Sequence, residues 1–395
     1  MWKKFQKSKI QYLDYWLLLP YVILCAFGAL MVYSASSDLM SIRGMKPDAY
    51  FTKQLVFIAL GFILMMITYF LKLSVLKNRT FLKAMTIVVF LALIYLLLLS
   101  RFRPSAAING ATAWIQLGPL TIQPSEFAKL LIVIYLANML SRKENELADG
   151  FVDNLKLFFS PVVLVAGIIL LVFIQPDLGG ASILAAVMVV MFFGTGMSYW
   201  YGFSLITAVT TTVMILFSIL RHFNFSTNVN SYKFNRILSF LHPFELENMG
   251  GSQLVNSYYA INNGGWFGLG LGNSIQKRGY LPEPYTDFIL SITTEELGVI
   301  GTLVIIALLF ALLARIFYLG IHATKMYYTL LCYGIGTIIF VQTLFNVGGL
   351  LGILPITGVT LPFISYGGSS MMVLAIALGI VLNISAQEKK AAAAN

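Results

Sequence analysis

The chain has 395 residues, of which 58% are hydrophobic and only 11% charged, with a mean hydropathy of +0.84. Soluble domains run at about 45–50% apolar and about 25% charged, so these values exclude a soluble globular protein and define an integral membrane protein. The formal charge of +10 is scattered between apolar segments, which argues against nucleic acid as a partner, and Cys25 and Cys332 lie in apolar runs without disulfide or metal-ligand spacing.

Apolar runs near the ~20 residues needed to cross a bilayer fall at 13–35, 53–72, 83–100, 124–140, 158–174, 180–197, 199–220, 287–319, 327–350 and 367–387. The expected fold is therefore all-α and polytopic, with about ten transmembrane helices in a single integral membrane domain covering 1–395. The first run is long and lacks a small-residue cleavage site, so it reads as a span and not as a signal peptide. The run at 287–319 exceeds one span and is expected to tilt or to extend beyond the bilayer. With both ends inside, the cytoplasmic segments hold most of the 26 lysines and arginines, so both termini are expected on the cytoplasmic side. Residues 221–286 then form one large extracellular loop between helices 7 and 8. Its glycines, asparagines and aromatics suit a partly re-entrant segment at the interface. Its "GGWFGLGLG" lacks the strand–turn–helix setting of a nucleotide-binding glycine loop. No internal repeat is visible, which disfavours an inverted-repeat transporter.

An ionisable side chain in hydrocarbon is costly, so retained ones point to function. In "QPSEFAKL", Glu126 and Lys129 are three residues apart on one helix face, either a packing ion pair or a pair facing substrate. In "QPDLGGAS", Asp177 is placed to cap the next helix. In "YLPEPYTDFILSITTEELG", a helix starting near Asp287 would align Asp287, Ser291, Thr294, Glu295 and Gly298 along one polar face. That stripe suggests a water-filled cavity opening outward, with Asp287 at its mouth as a base or merely as a helix cap. Glu296 points about 100° away and needs a separate partner. In "GVTLPFISYGGSS", Pro362 and paired glycines break the chain before the last span, lining a cavity or forming a plain turn. His222, His242 and His322 have no ligand spacing, so the chemistry is carboxylate chemistry.

These four segments, together with "GLGNSIQKRG" ahead of the third, resemble in order and spacing the signatures of the SEDS family (shape, elongation, division and sporulation). The resemblance covers nearly the whole chain, and "GNSIQKRGYLPE" is similar to FtsW-type division members more than to RodA-type elongation members. It implies a GT-C-like fold and a peptidoglycan glycosyltransferase that polymerises lipid II at the outer face of the cytoplasmic membrane. Asp287 matches the family's catalytic aspartate and would act as general base on the acceptor GlcNAc 4-hydroxyl in an inverting transfer. Lys129, Lys277 and Lys53 are then candidates for the undecaprenyl diphosphate, with a divalent cation (Mg2+ or Mn2+) as help; no other cofactor is implied. Glu126, Asp177, Glu283, Tyr285, Ser365 and Ser369 complete the expected substrate site, and Ser291, Glu295 and Glu296 a structural or proton network. The implied partners are a class B penicillin-binding protein and other division-complex membrane proteins. Two positions depart from the family: Tyr285 stands where histidine is frequent, which argues against a histidine relay, and Ala113 where arginine is common, so that one phosphate or packing contact is either missing or supplied by Arg101 or Arg103. Rival readings are a lipid II flippase or ion-coupled transporter relaying protons through Glu126, Glu295 and Glu296, and a non-catalytic division scaffold.

Overall fold

A computed structural model describes residues 9–102, 113–117, 120–147, 150–196, 238–247 and 250–393, with scattered positions between 200 and 218. The principal helices are α1 (Tyr15–Ile42), α2 (Ala49–Phe70), α3 (Arg79–Phe102), α4 (Pro124–Ser141), α5 (Phe159–Ile174), α6 (Leu178–Phe193), α7 (Ser252–Gly264), α8 (Ile289–Ile321), α9 (Met326–Leu350) and α10 (Gly368–Ala392). Six of them, α1, α2, α3, α8, α9 and α10, are long and apolar enough to cross a membrane, and α5 and α6 are shorter apolar helices. Every expected span corresponds to one of these helices except the seventh, 199–220, which falls largely outside the described residues.

Burial sorts the helices. In α10 and α9, 89% and 72% of the apolar stretch is buried, against 22% in α2 and α3. The first two are core helices, and α2 and α3 turn most of their apolar surface outward, as lipid-facing helices do. Two features were not legible as elements: a short antiparallel hairpin, β1 (Ile115–Leu117) with β2 (Leu120–Ile122), and α7, which lies inside the long loop.

The two ends of the bundle are fastened differently. At the end carrying both termini, Asp14 caps α1 by accepting from Trp16 N at 3.2 Å. The same carboxylate, with no exposure, accepts from Arg315 of α8 at 2.7 and 3.1 Å and from Ser385 of α10 at 2.6 Å, with Lys389 3.4 Å away. Burial would raise its pKa, but hydrogen bonds from Arg315 and Ser385 and the nearby cationic charges hold it below the ordinary carboxylate value.

At the opposite end the backbone of α8 is interrupted at Gly298 (φ 72°, ψ 178°). In an unbroken helix Val299 and Ile300 would donate to the carbonyls of Glu295 and Glu296. Here they donate to Gly265 and Trp266 at 2.9 and 3.3 Å, while the two released carbonyls accept from Leu269 and Gly270, both at 2.9 Å. The loop after α7 thus replaces, bond for bond, what the helix gives up, which is what irregular backbone packed in an apolar bundle requires. A Cβ at Gly298 would lie 2.3 Å from the Trp266 carbonyl, so no side chain fits there.

Asp14→Ala is expected to destabilise the protein by about 3 kcal/mol, because Arg315 loses its carboxylate; thermal unfolding in detergent micelles measures it. The loss should shrink as pH falls through the depressed Asp14 pKa, where the wild-type carboxylate is itself protonated.

Candidate functional site

Four segments that sequence separates meet at the end of the bundle opposite the termini and enclose a cavity of about 330 Å3. The start of α4 brings Gln123, Glu126 and Lys129; the start of α6 brings Asp177; the turn before α8 brings Glu283, Tyr285 and Asp287; the segment leading into α10 brings Thr357, Ser369 and Ser370. Ala113 and Trp114 close one wall.

Each carboxylate is held by identifiable chemistry. Pro124 starts α4, where its missing N–H costs nothing, and Glu126 in the first turn meets Lys129 at 2.7 Å. Both are buried, so this pair combines mutual neutralisation with a place in the wall of the cavity. Asp177 is the N-cap of α6: it accepts from Gly180 N at 2.7 Å, Ser125 Oγ at 2.8 Å and Gln123 Nε2 at 3.2 Å. It therefore ties α6 to α4 while facing the cavity.

Asp287 does not open a helix. α8 begins at Ile289 with Phe288 as its N-cap, and Asp287 sits in the preceding turn. That turn is fixed from outside itself. Its three successive carbonyls are all taken: Tyr285 O by Tyr366 N at 2.9 Å, Thr286 O by Ser365 Oγ at 2.7 Å, and Asp287 O by Asn346 Nδ2 at 2.9 Å. Asn346 also donates to Val359 O at 2.9 Å, and Ser365 Oγ accepts from Leu361 N at 2.8 Å. The clamp therefore sets Asp287 relative to the 357–367 segment across the cavity. Gly358 (φ 73°) lies beside the carboxylate, since a Cβ there would be 3.5 Å from Asp287 Oδ2.

Tyr285 donates to Tyr50 OH at 3.2 Å, and its ring stacks among Tyr50 and Tyr366 with centroids 4.3 and 6.0 Å away. Burial, then the Tyr50 hydrogen bond, raises the Tyr285 pKa, and burial pushes Tyr366 up to about 12. Both phenols stay protonated near neutrality. No histidine lines the cavity among the described residues, so the groups able to accept a proton there are carboxylates.

Several expected site residues lie elsewhere. The polar stripe on α8 does not open to the cavity. Ser291 hydrogen-bonds Ser257 of α7 at 2.8 Å, and Glu295, fully buried, accepts from Asn263 Nδ2 at 3.0 Å, Gln276 N at 3.2 Å and the Ser274 hydroxyl. Lys277, expected at the diphosphate, is 1% exposed and bonded to Glu296 at 2.9 Å and to Ser34 at 3.1 Å. These acids are anchors for the loop after α7, because a desolvated carboxylate needs a partner and the loop supplies it. Lys53 is exposed outside the cavity, 5.6 Å from the Tyr50 ring centroid. Ser365 acts behind the wall through Thr286, whereas Ser369 lines the cavity, accepting from Gln123 N and donating to Thr121 O, both at 3.1 Å. Arg101 ends α3, exposed; Arg103 and His222 lie outside the described residues. Among the described residues no three His, Cys, Asp or Glu side chains converge as metal ligands. Sequence reading missed Asn346, though a lone asparagine in the apolar run of α9 was a signal for it.

A polytopic helical membrane protein with a carboxylate-lined polar cavity at one end of its bundle is the class these features define. The chain belongs to the FtsW/RodA/SpoVE family of cell cycle proteins, which it matches over residues 15–390. It is 40% identical over 402 residues to the probable peptidoglycan glycosyltransferase FtsW of Lactococcus lactis, covering 97% of this chain and 94% of that one. It is 34% identical over 379 residues to the stage V sporulation protein E of Bacillus subtilis, covering 94% and 96%. Among solved structures, a chain from a study of how a peptidoglycan synthase complex coordinates polymerization and crosslinking superposes with TM-score 0.69 at 28% identity, covering 94% of this chain and 97% of that one. The rod shape determining protein RodA of Thermus thermophilus superposes with TM-score 0.63 at 26% identity, covering 94% and 96%.

Breaking the Lys277–Glu296 pair from one side, by Lys277→Met or Glu296→Leu, is expected to cost about 3–5 kcal/mol of stability, and the double variant far less than the sum. Unfolding of the three variants in micelles measures this; strict additivity would contradict the pairing.

Proposed function

We propose that the protein is a peptidoglycan glycosyltransferase that polymerises lipid II into glycan strands during cell division, with the cavity around Asp287 as its active site. The observation that carries this reading is the clamp on three consecutive carbonyls, which holds Asp287 at the wall of a cavity that also contains Lys129. A base is useful only when its position is fixed before the reaction.

In the reaction the acceptor GlcNAc 4-hydroxyl attacks the donor anomeric carbon from the face opposite the diphosphate. Asp287 takes the hydroxyl proton as the new carbon–oxygen bond forms. The bond to the undecaprenyl diphosphate breaks, and the α-linked donor becomes a β-glycoside. Lys129 faces the negative charge that builds on the departing phosphates. Glu126 orients that ammonium through their 2.7 Å contact, and Tyr285 and Ser369 donate or accept hydrogen bonds around the sugars.

Glu126, Asp177, Glu283 and Asp287 outnumber the single lysine in the cavity lining, an acidic balance that fits a divalent cation, which Glu283 would help to hold. Such a cation would supply Lewis-acid stabilisation of the leaving diphosphate.

The lysines and arginines gathered at the end with the termini support a cytoplasmic placement of that end, so the cavity faces outward, where lipid II is polymerised. The partner is a class B penicillin-binding protein that cross-links the strands, with other division-complex membrane proteins around it.

The test is the purified chain with that transpeptidase and lipid II in proteoliposomes. Glycan polymer is expected, with synthesis increased by Mg2+ or Mn2+ and depressed by chelation. Transfer of labelled lipid II across the bilayer without polymer would overturn the assignment in favour of a flippase.

A further inference from the structure

The end of the bundle that carries the termini holds a second cavity, of about 660 Å3, which the proposed reaction does not use. Lys9, Lys72, Lys77, Lys325 and Lys390 line it, and no carboxylate does among the described residues. They converge from the segment before α1, the α2–α3 connection, the α8–α9 connection and the end of α10. The neighbouring acids are engaged away from it: Asp14 holds Arg315 and Ser385, and Glu388 accepts from Thr324 N at 3.3 Å and Thr324 Oγ1 at 2.9 Å.

The lysines are gathered at mutual cost. Burial and then Lys390 push the Lys9 pKa down to about 8, and burial, Lys325 and Arg142 lower that of Lys77. A bound anion would reverse both repulsive effects. Lys9 is also held in place, donating to Asn383 Oδ1 at 2.9 Å and to the Tyr69 carbonyl. The floor is apolar and aromatic: Tyr12, Phe70, Leu71, Leu73 and Tyr328. The Lys325 ammonium lies 5.4 Å from the Tyr328 ring centroid, so positive charge and apolar floor adjoin in one cavity.

We propose that this cavity binds the phosphate headgroup of an anionic phospholipid from the leaflet on the side of the termini. The site combines a basic pocket between helix ends with an apolar path for acyl chains, because Ile67 and Ile63, one and two turns up α2 from Phe70, are 56% and 54% exposed. A soluble phosphate would need the lysines but not the floor or that path. Occupancy would fasten both terminal segments to the two connections and leave the catalytic cavity at the other end untouched.

The experiment measures lipid bound to the purified full chain by native mass spectrometry, with phosphatidylglycerol or phosphatidylcholine added at equal concentration. Melting temperature is followed in parallel with each lipid and with sodium phosphate. At least tenfold preference for phosphatidylglycerol is expected. Lys72→Gln combined with Lys325→Gln, both at exposed positions, should weaken phosphatidylglycerol binding by tenfold or more while the lipid-free melting temperature holds. If the pair of substitutions impairs folding, each single variant carries the same test with about a fivefold loss. Equal binding of the two lipids, or unchanged affinity in the variants, would overturn the proposal. Stabilisation by sodium phosphate matching that by phosphatidylglycerol would overturn it in favour of a soluble anion.

Discussion

A charge inside an apolar helical bundle is stable only beside an opposite charge or a set of hydrogen-bond donors, and this chain meets that requirement in two ways. Asp14 with Arg315 and Glu296 with Lys277 are closed contacts in which the carboxylate has no exposure. They join distant segments: the start of α1 to the ends of α8 and α10, and the loop after α7 to α8. Glu126 with Lys129 is different. The same ion pair is built into the wall of a cavity, beside Asp177, Glu283 and Asp287. The closed pairs are scaffold, and the open one is placed where a charged substrate group can meet it.

Backbone polar groups obey the same rule, and the two sets of exchanges lie on one helix and the turn leading into it. At Gly298 the loop after α7 takes over hydrogen bonds that α8 abandons, and the carboxylates of Glu295 and Glu296 lock that loop from the adjoining turn. A few residues earlier, the turn into α8 has its carbonyls capped by Asn346, Ser365 and Tyr366. Asp287 is thus set between a helix whose start is buried and a segment clamped across the cavity. A carboxylate positioned this way would lose little entropy on reaching a reactive geometry if it serves as the proposed base.

Much of this was readable in the sequence. Spans follow from apolar length, the Glu126–Lys129 contact from a three-residue spacing on a helix, and the Asp177 cap from its place before the apolar run of α6. What could not be read depends on contacts between distant parts of the chain. Helical periodicity grouped Asp287 with Ser291 and Glu295, but α8 starts two residues after Asp287 and its polar face is covered by α7 and the following loop. That loop is rich in asparagine, tyrosine and glycine, so its helix has little apolar periodicity to announce it. Lys277 looked available for phosphate because its partner is fixed by the fold of the loop and not by local spacing. The clamp residues Asn346 and Ser365 act 59 and 79 residues from the carbonyls they hold, so a lone asparagine in an apolar run could mark Asn346 as a buried polar group but no local pattern could name its partner.

The central claim is that the carboxylate of Asp287, held by this clamp, accepts the acceptor hydroxyl proton. The direct measurement is the single-turnover rate of glycan formation from lipid II by Asp287→Asn, compared with wild type at matched folding and substrate occupancy. Asparagine keeps the shape and leaves the backbone clamp in place but has no basic oxygen. A fall of about 10²–10⁴-fold with lipid II binding retained is expected. Polymerisation at the wild-type rate would contradict the account.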